Sequence, residues 1–288
     1  MELIEVNNVN YACKVSQRKS NLPYLLMLHG FMGDHRVFDH LIEDLDKFCN
    51  PVTIDLLGHG KSSKPEESNR YNENKQVSDI LGVIEKLDIT PLFLFGYSMG
   101  GRLALKIALS AAKTFKGLIL ESTTCGIAGE DQRKERQKAD EKRAQQIERN
   151  YEEFLFKWQN LELFQSPLPP NQELTNSYRD VQRSQNPESI AASLRGFGTG
   201  SMTPACDQLK SLDLPVLLMA GTKDEKYQHI NSSMAEQFLN ATFSSIKAGH
   251  RIHLDNPQNF VQEINNFLFS IISIIDGNKS PFEAGAGG

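Results

Sequence analysis

The chain has 288 residues, 39% apolar and 23% charged, with a formal net charge of −5. That length can bury a full core without disulfides or metals, and the composition is that of an ordinary soluble globular protein. The acidic balance argues against nucleic acid or an anionic membrane as the partner, while local basic groups can still hold an anionic small molecule.

In chain order, residues 5–15 suggest one or two antiparallel strands, and residues 24–28 form a near-continuous apolar run of the kind that makes a buried parallel strand. Further strands are predicted over residues 52–55, 91–95, 117–120, 215–220 and 242–246. Helical patterns fall between and after them, over residues 34–48, 74–87, 99–112, 230–239 and 257–275. Such alternation predicts a mostly parallel sheet with helices on both faces. The rhythm breaks after the fourth of these parallel strands. Residues 130–153 are dense in mixed charge and strong helix formers, and the irregular region runs on to Gly200. Most of those charges should face water. An insertion at the carboxyl ends of parallel strands is also where a helical lid would lie over a ligand. The predicted organisation is a core over 1–125, a lid over 126–205, the second part of the core over 206–277, and a disordered tail over 278–288.

Cys13, Cys49, Cys125 and Cys206 are widely spaced and form no CxxC pair, so reduced thiols are expected. The N-terminus has no signal-peptide pattern and no apolar run approaches membrane-spanning length, which predicts a cytoplasmic protein.

The chemistry centres on Gly96-Tyr97-Ser98-Met99-Gly100. This G-x-S-x-G lies between a predicted strand and a predicted helix, the setting of a nucleophile elbow. A serine hydroxyl needs a base, and the base needs an orienting carboxylate. Asp224 follows the 215–220 strand and His250 follows the last strand, which matches the chain order Ser, Asp, His. The expected oxyanion donors are the backbone N–H groups of Met99 and of Phe31, in the loop after the 24–28 strand. His59 is expected to be structural. His253 forms His-x-x-His with His250, but no third ligand is implied, so no metal is expected.

Together these motifs resemble the α/β-hydrolase superfamily over residues 11–275, which implies the α/β-hydrolase fold. A closer resemblance rests on Gly96 to Arg102, Glu135-Arg136-Gln137, Phe156-Lys157-Trp158, Gln182 to Asn186 and Ala248-Gly249-His250. These strings are similar to those of the 2-succinyl-6-hydroxy-2,4-cyclohexadiene-1-carboxylate synthase family of menaquinone biosynthesis. The resemblance implies a carbon–oxygen lyase with no cofactor. It would take a proton from the ring carbon beside the succinyl carbonyl of 2-succinyl-5-enolpyruvyl-6-hydroxy-3-cyclohexene-1-carboxylate and eliminate pyruvate. Ser98, activated by His250 and Asp224, would be the base. The substrate carries three carboxylates, and the resemblance assigns Arg102, Arg136 and Arg183 to them, with Tyr97 and Trp158 as further contacts. Arginine suits this task because its planar fork binds carboxylates through two charge-assisted hydrogen bonds.

The expected partner is therefore a small-molecule tricarboxylate, with the protein a monomer or weak homo-oligomer. The first rival is a serine hydrolase, an esterase or carbon–carbon bond hydrolase with the same triad. The second is a non-catalytic receptor on the same scaffold, which usually loses a triad member; none is lost here.

Overall fold

The computed structural model describes residues 1–275; the predicted tail over 278–288 lies outside the described residues. Eight strands form one sheet: β1 (Glu2–Val6), β2 (Val9–Val15), β3 (Tyr24–Leu28), β4 (Asn50–Ile54), β5 (Leu92–Tyr97), β6 (Phe115–Glu121), β7 (Val216–Gly221) and β8 (Ala241–Ile246). Their order is β1-β2-β4-β3-β5-β6-β7-β8. β2 runs antiparallel to β1 and β4, and the remaining pairs are parallel. The helices are α1 (Ile42–Leu45), α2 (Glu73–Leu87), α3 (Met99–Ser110), α4 (Glu130–Arg149), α5 (Tyr151–Gln159), α6 (Gln172–Arg183), α7 (Pro187–Phe197), α8 (Glu225–Ala235), α9 (Ile252–Asp255) and α10 (Pro257–Ile275).

The central strands are apolar at consecutive positions because both of their faces are covered. Successive side chains point to opposite faces. Leu26, Leu28, Leu94, Leu118, Leu120 and Leu218 enter one core with α2 and α3. Leu25, Met27, Phe93, Phe95, Ile119 and Leu217 enter the other, closed by α10. β8, at the edge, is more polar and largely half-exposed.

The α4–α7 insertion lies between β6 and β7. On α4 only Asp140, Ala144 and Ile147 are buried, a single stripe at helical spacing. With Phe154 and Leu155 of α5 and Ile190, Ala191 and Leu194 of α7, Ala144 and Ile147 build a small apolar cluster that reaches Met32 in the loop after β3. Asparagines start three of the four insertion helices. Asn150, Asn171 and Asn186 accept from the backbone N–H groups of Glu153, Leu174 and Ser189, which satisfies donors that have no intrahelical partner.

Three expectations need correction. Residues 34–48 are not one helix: a 3-10 segment over His35–Leu41, capped by the Asp34 side chain, precedes the short α1. The helix expected over 230–239 instead begins directly after Asp224, since its polar first turn hides it from apolar periodicity. Finally, Cys125 and Cys206 are not free thiols; they are joined in a disulfide. The fold brings together residues that sequence spacing kept apart. Cys13 and Cys49 are free and buried, and burial pushes the Cys13 thiol up to about 12. No helix among the described residues is long and apolar enough to cross a membrane.

Candidate active site

Ser98 sits at the tip of the turn from β5 to α3, with φ of +52°. A non-glycine residue there is strained and must be held by its surroundings. Ser98 N–H donates to the Glu121 carbonyl at 2.9 Å, and Thr123 Oγ1 donates to the Ser98 carbonyl at 2.7 Å. A Cβ at Gly96 would strike the Gly100 carbonyl, and one at Gly100 would strike the backbone of Leu28 and His29. The glycines of the motif are thus required by contact between the elbow and its neighbouring backbone.

The end of β7 and the loop after β8 approach equally closely. Gly221 abuts the Ala248 and Gly249 carbonyls, and the Lys223 N–H donates to the Ala248 carbonyl at 3.0 Å. This contact sets Asp224 against His250. His250 Nδ1 lies 2.6 Å from Asp224 Oδ2, and His250 Nε2 lies 3.2 Å from Ser98 Oγ. With Nδ1–H donating to the carboxylate, Nε2 is left to accept the serine proton. Asp224 and His250 are both buried. Met99 opens α3, so its N–H has no intrahelical acceptor. Phe31 lines the same cavity, its ring edge-on to Trp158 at 5.7 Å.

Ser98 and His250 open into a cavity of about 200 Å³ roofed by insertion residues. A larger open groove of about 1290 Å³ beside β1 and α2 holds no histidine and shares no residue with it, whereas Ser98 and His250 both line the smaller one. Arg102, Arg136, Tyr97 and Trp158 all line the cavity. The buried Tyr97 ring packs 5.5 Å from His250 and 4.6 Å from His253. Arg102 is 8% exposed. Its guanidinium stacks 5.0 Å over the Phe197 ring, and burial brings its pKa down to about 10. No carboxylate among the described residues pairs with it. Arg136 Nε donates to Asp140 Oδ1 at 2.8 Å.

Arg183 is elsewhere. It pairs with Asp180 at 3.0 Å, its side chain is 55% exposed, and it does not line the cavity. The reason is helical phase. On α6, Tyr178 and Gln182 face inward one turn apart, which turns Arg183 about 100° away from Gln182. Sequence reasoning therefore missed Gln182, and it also missed Arg143, Lys226 and Tyr227 on the cavity wall. Two signals were available: Arg143 follows Arg136 by two helical turns, and Lys226 and Tyr227 come almost directly after Asp224.

The two other histidines singled out are packed into the scaffold. His253 Nδ1 donates to the buried Glu121 carboxylate at 2.9 Å. His59 Nδ1–H donates to the Leu57 carbonyl at 3.0 Å. Burial, reinforced by His29, lowers the His59 pKa to about 3.

The sheet, the elbow and the Ser98–His250–Asp224 geometry define a protein of the α/β hydrolase class, and a sequence model of the alpha/beta hydrolase fold family matches residues 23–257. Several such proteins of known structure share the fold, among them an esterase from Exiguobacterium antarcticum with a TM-score of 0.78, 20% identity and coverage of 92% of this chain and 97% of its own. A narrower relationship is carried by a Bacillus subtilis (strain 168) protein provisionally named 2-succinyl-6-hydroxy-2,4-cyclohexadiene-1-carboxylate synthase. It is 35% identical over 86% of this chain and 90% of the relative. The chain belongs to that synthase family. A Salmonella arizonae synthase of the same name is 27% identical over 87% of this chain and 95% of its own length. The structure of MenH from S. aureus superposes with a TM-score of 0.85 at 34% identity, covering 91% of this chain and 98% of that one.

Proposed function

We propose that the protein is a carbon–oxygen lyase that converts 2-succinyl-5-enolpyruvyl-6-hydroxy-3-cyclohexene-1-carboxylate into 2-succinyl-6-hydroxy-2,4-cyclohexadiene-1-carboxylate and pyruvate in the cytoplasm. The observation that carries this reading is Arg102, a buried guanidinium with no anionic partner, on the wall of the cavity that holds Ser98. Burying a charge is costly unless it is paired, so the site is built for an anion. A neutral ester would leave that cost unmet.

In this reading Ser98 Oγ removes the proton from the ring carbon beside the succinyl carbonyl as its own proton passes to His250 Nε2. Asp224 holds the imidazole in the accepting tautomer and stabilises the imidazolium that forms. The electron pair left on carbon delocalises into the carbonyl, whose oxygen takes up charge facing the Phe31 and Met99 N–H groups. The ring double bond then shifts, and the carbon–oxygen bond to the enolpyruvyl group breaks. The enolpyruvate released takes up a proton and becomes pyruvate. Residues 126–205 act as a lid that keeps water from the carbanion. Arg136, Tyr97 and Trp158 contact the substrate, and Arg183 contributes only if the lid rearranges around it.

The test offers the family's substrate and p-nitrophenyl acetate side by side, with pyruvate followed through lactate dehydrogenase. Pyruvate release lost in Ser98→Ala is the expected result. Rapid ester turnover with no pyruvate would replace the lyase by a hydrolase.

A further inference from the structure

The cavity wall holds more charged side chains than the three arginines expected from sequence. Arg102, Arg136, Arg143 and Lys226 all line it, and Asp140 is its single carboxylate. Four cations and one anion leave a formal charge of plus three around the space above Ser98. Asp140 is buried, and its Oδ1 alone receives both Arg136 Nε at 2.8 Å and Arg143 Nη1 at 2.9 Å. Each guanidinium has five N–H donors, so each spends one on this oxygen and keeps four. Asp140 Oδ2 has no hydrogen-bond partner although it is buried. The three residues stand at i, i+4 and i+7 on α4 and so share one helical face. Lys226 approaches from the core side, at the start of α8. Its ammonium lies 5.4 Å from the centroid of the Tyr227 ring and pairs with no carboxylate among the described residues.

We propose that Arg143 and Lys226 are further substrate-binding residues that complete a plus-three cavity for a tricarboxylate, and that Asp140 is the positioning residue that holds Arg136 and Arg143 side by side. The proposal rests on the lyase reading for the substrate's identity, but the charge arrangement stands without it. Lys226 is depressed first by burial and then by Arg136; the Asp224 carboxylate opposes the shift, and Arg143 adds a smaller lowering. The lid cations and the core lysine therefore lie within Coulombic reach of one another. Such a cluster repels itself when the cavity holds no anion, and a multiply charged anion relieves all of the repulsion at once. A monocarboxylate relieves little.

The experiment measures binding of propane-1,2,3-tricarboxylate and of butyrate to the full-length protein by calorimetry at about 0.1 M salt, alongside the KM for the family's substrate. Lys226→Gln and Arg143→Gln should each weaken the tricarboxylate about tenfold, and the double variant about a hundredfold. Butyrate should change less than threefold, and the surface control Lys47→Gln should change neither. Asp140 separates position from charge. Asp140→Asn keeps an acceptor between the guanidiniums and should bind the trianion as well as wild type or better. Asp140→Ala should bind it more weakly despite the added positive charge. If both Asp140 variants tighten binding, the positioning role falls. If the double variant stays within twofold of wild type, the subsite falls. Absence of pyruvate release by wild type, with tricarboxylate binding intact, would instead overturn the lyase reading and leave the subsite standing.

Discussion

The Arg102 guanidinium donates through Nη1 to the Phe197 carbonyl at 2.9 Å while lying across the same residue's ring. Phe197 ends α7 of the insertion and Arg102 lies in the first turns of α3, so one contact ties the roof of the cavity to the helix that carries the serine. Nη1 also contacts Met202 Sδ at 3.7 Å, which fixes the fork and leaves Nε and Nη2 for a ligand.

Arg102→Met should therefore raise KM for the tricarboxylate by roughly 30- to 150-fold, the worth of about 2–3 kcal/mol of charge-assisted hydrogen bonding. Arg102→Lys restores the charge without the fork and should recover only part of the loss. Initial-rate kinetics on the two variants decide it, and an unchanged kcat/KM in Arg102→Met would remove this residue from the site.

In the proposed reaction, loss of the Ser98 hydroxyl should separate rate from binding. Ser98→Ala is expected to lower kcat by about 10³-fold or more with tricarboxylate affinity nearly kept. Asp224→Asn, which frees the imidazole to take the wrong tautomer, should cost a similar factor. A fall of less than tenfold in either variant would mean that the triad is not the proton acceptor.

Buried histidines set the acid limit of stability. His59 is held near pKa 3 in the fold against an ordinary value of 6.5, and burial lowers His29 and His40 as well. Between those limits the unfolded chain binds protons that the folded chain refuses. Stability is complete above about pH 6.5 and falls as pH drops through the window. His59 alone contributes a slope of up to about 1.4 kcal/mol per pH unit. Thermal melts should show Tm declining from pH 6.5 to about 5.5, above the range in which ordinary carboxylates titrate. A flat Tm there would contradict neutral burial of these rings.

Thiol accessibility gives an independent check on the core. Native protein should react with none of its cysteines, because Cys13 and Cys49 are buried thiols raised in pKa and the other two are bonded together. Denaturation without reductant should expose two thiols, and denaturation with reductant all four. Four thiols without reductant would mean that Cys125 and Cys206 are not joined.

The fold and the meeting of Ser98, His250 and Asp224 were legible because both follow strict local rules. Apolar runs mark the buried strands, and Ser98, Asp224 and His250 each fall just past the carboxyl end of a strand, where the sheet itself brings them together. The α4–α7 insertion was legible as helix but not in rotation. Short matching strings carry no helical phase, so Gln182 and Arg183 could not be told apart until α6 was seen packed. Lys226 escaped because its helix starts with a polar turn. The cysteine pair escaped because 81 residues separate its members, and nothing local to either one marks the other.

That same bond changes what a cut in the insertion would do. Cys125 lies just before α4 and Cys206 just after α7, so the whole insertion is a closed loop of chain. The exposed prolines at Pro167, Pro169 and Pro170 mark a stretch where a protease would enter first. A single cut there would yield two fragments that migrate as one band on a denaturing gel and separate only after reduction.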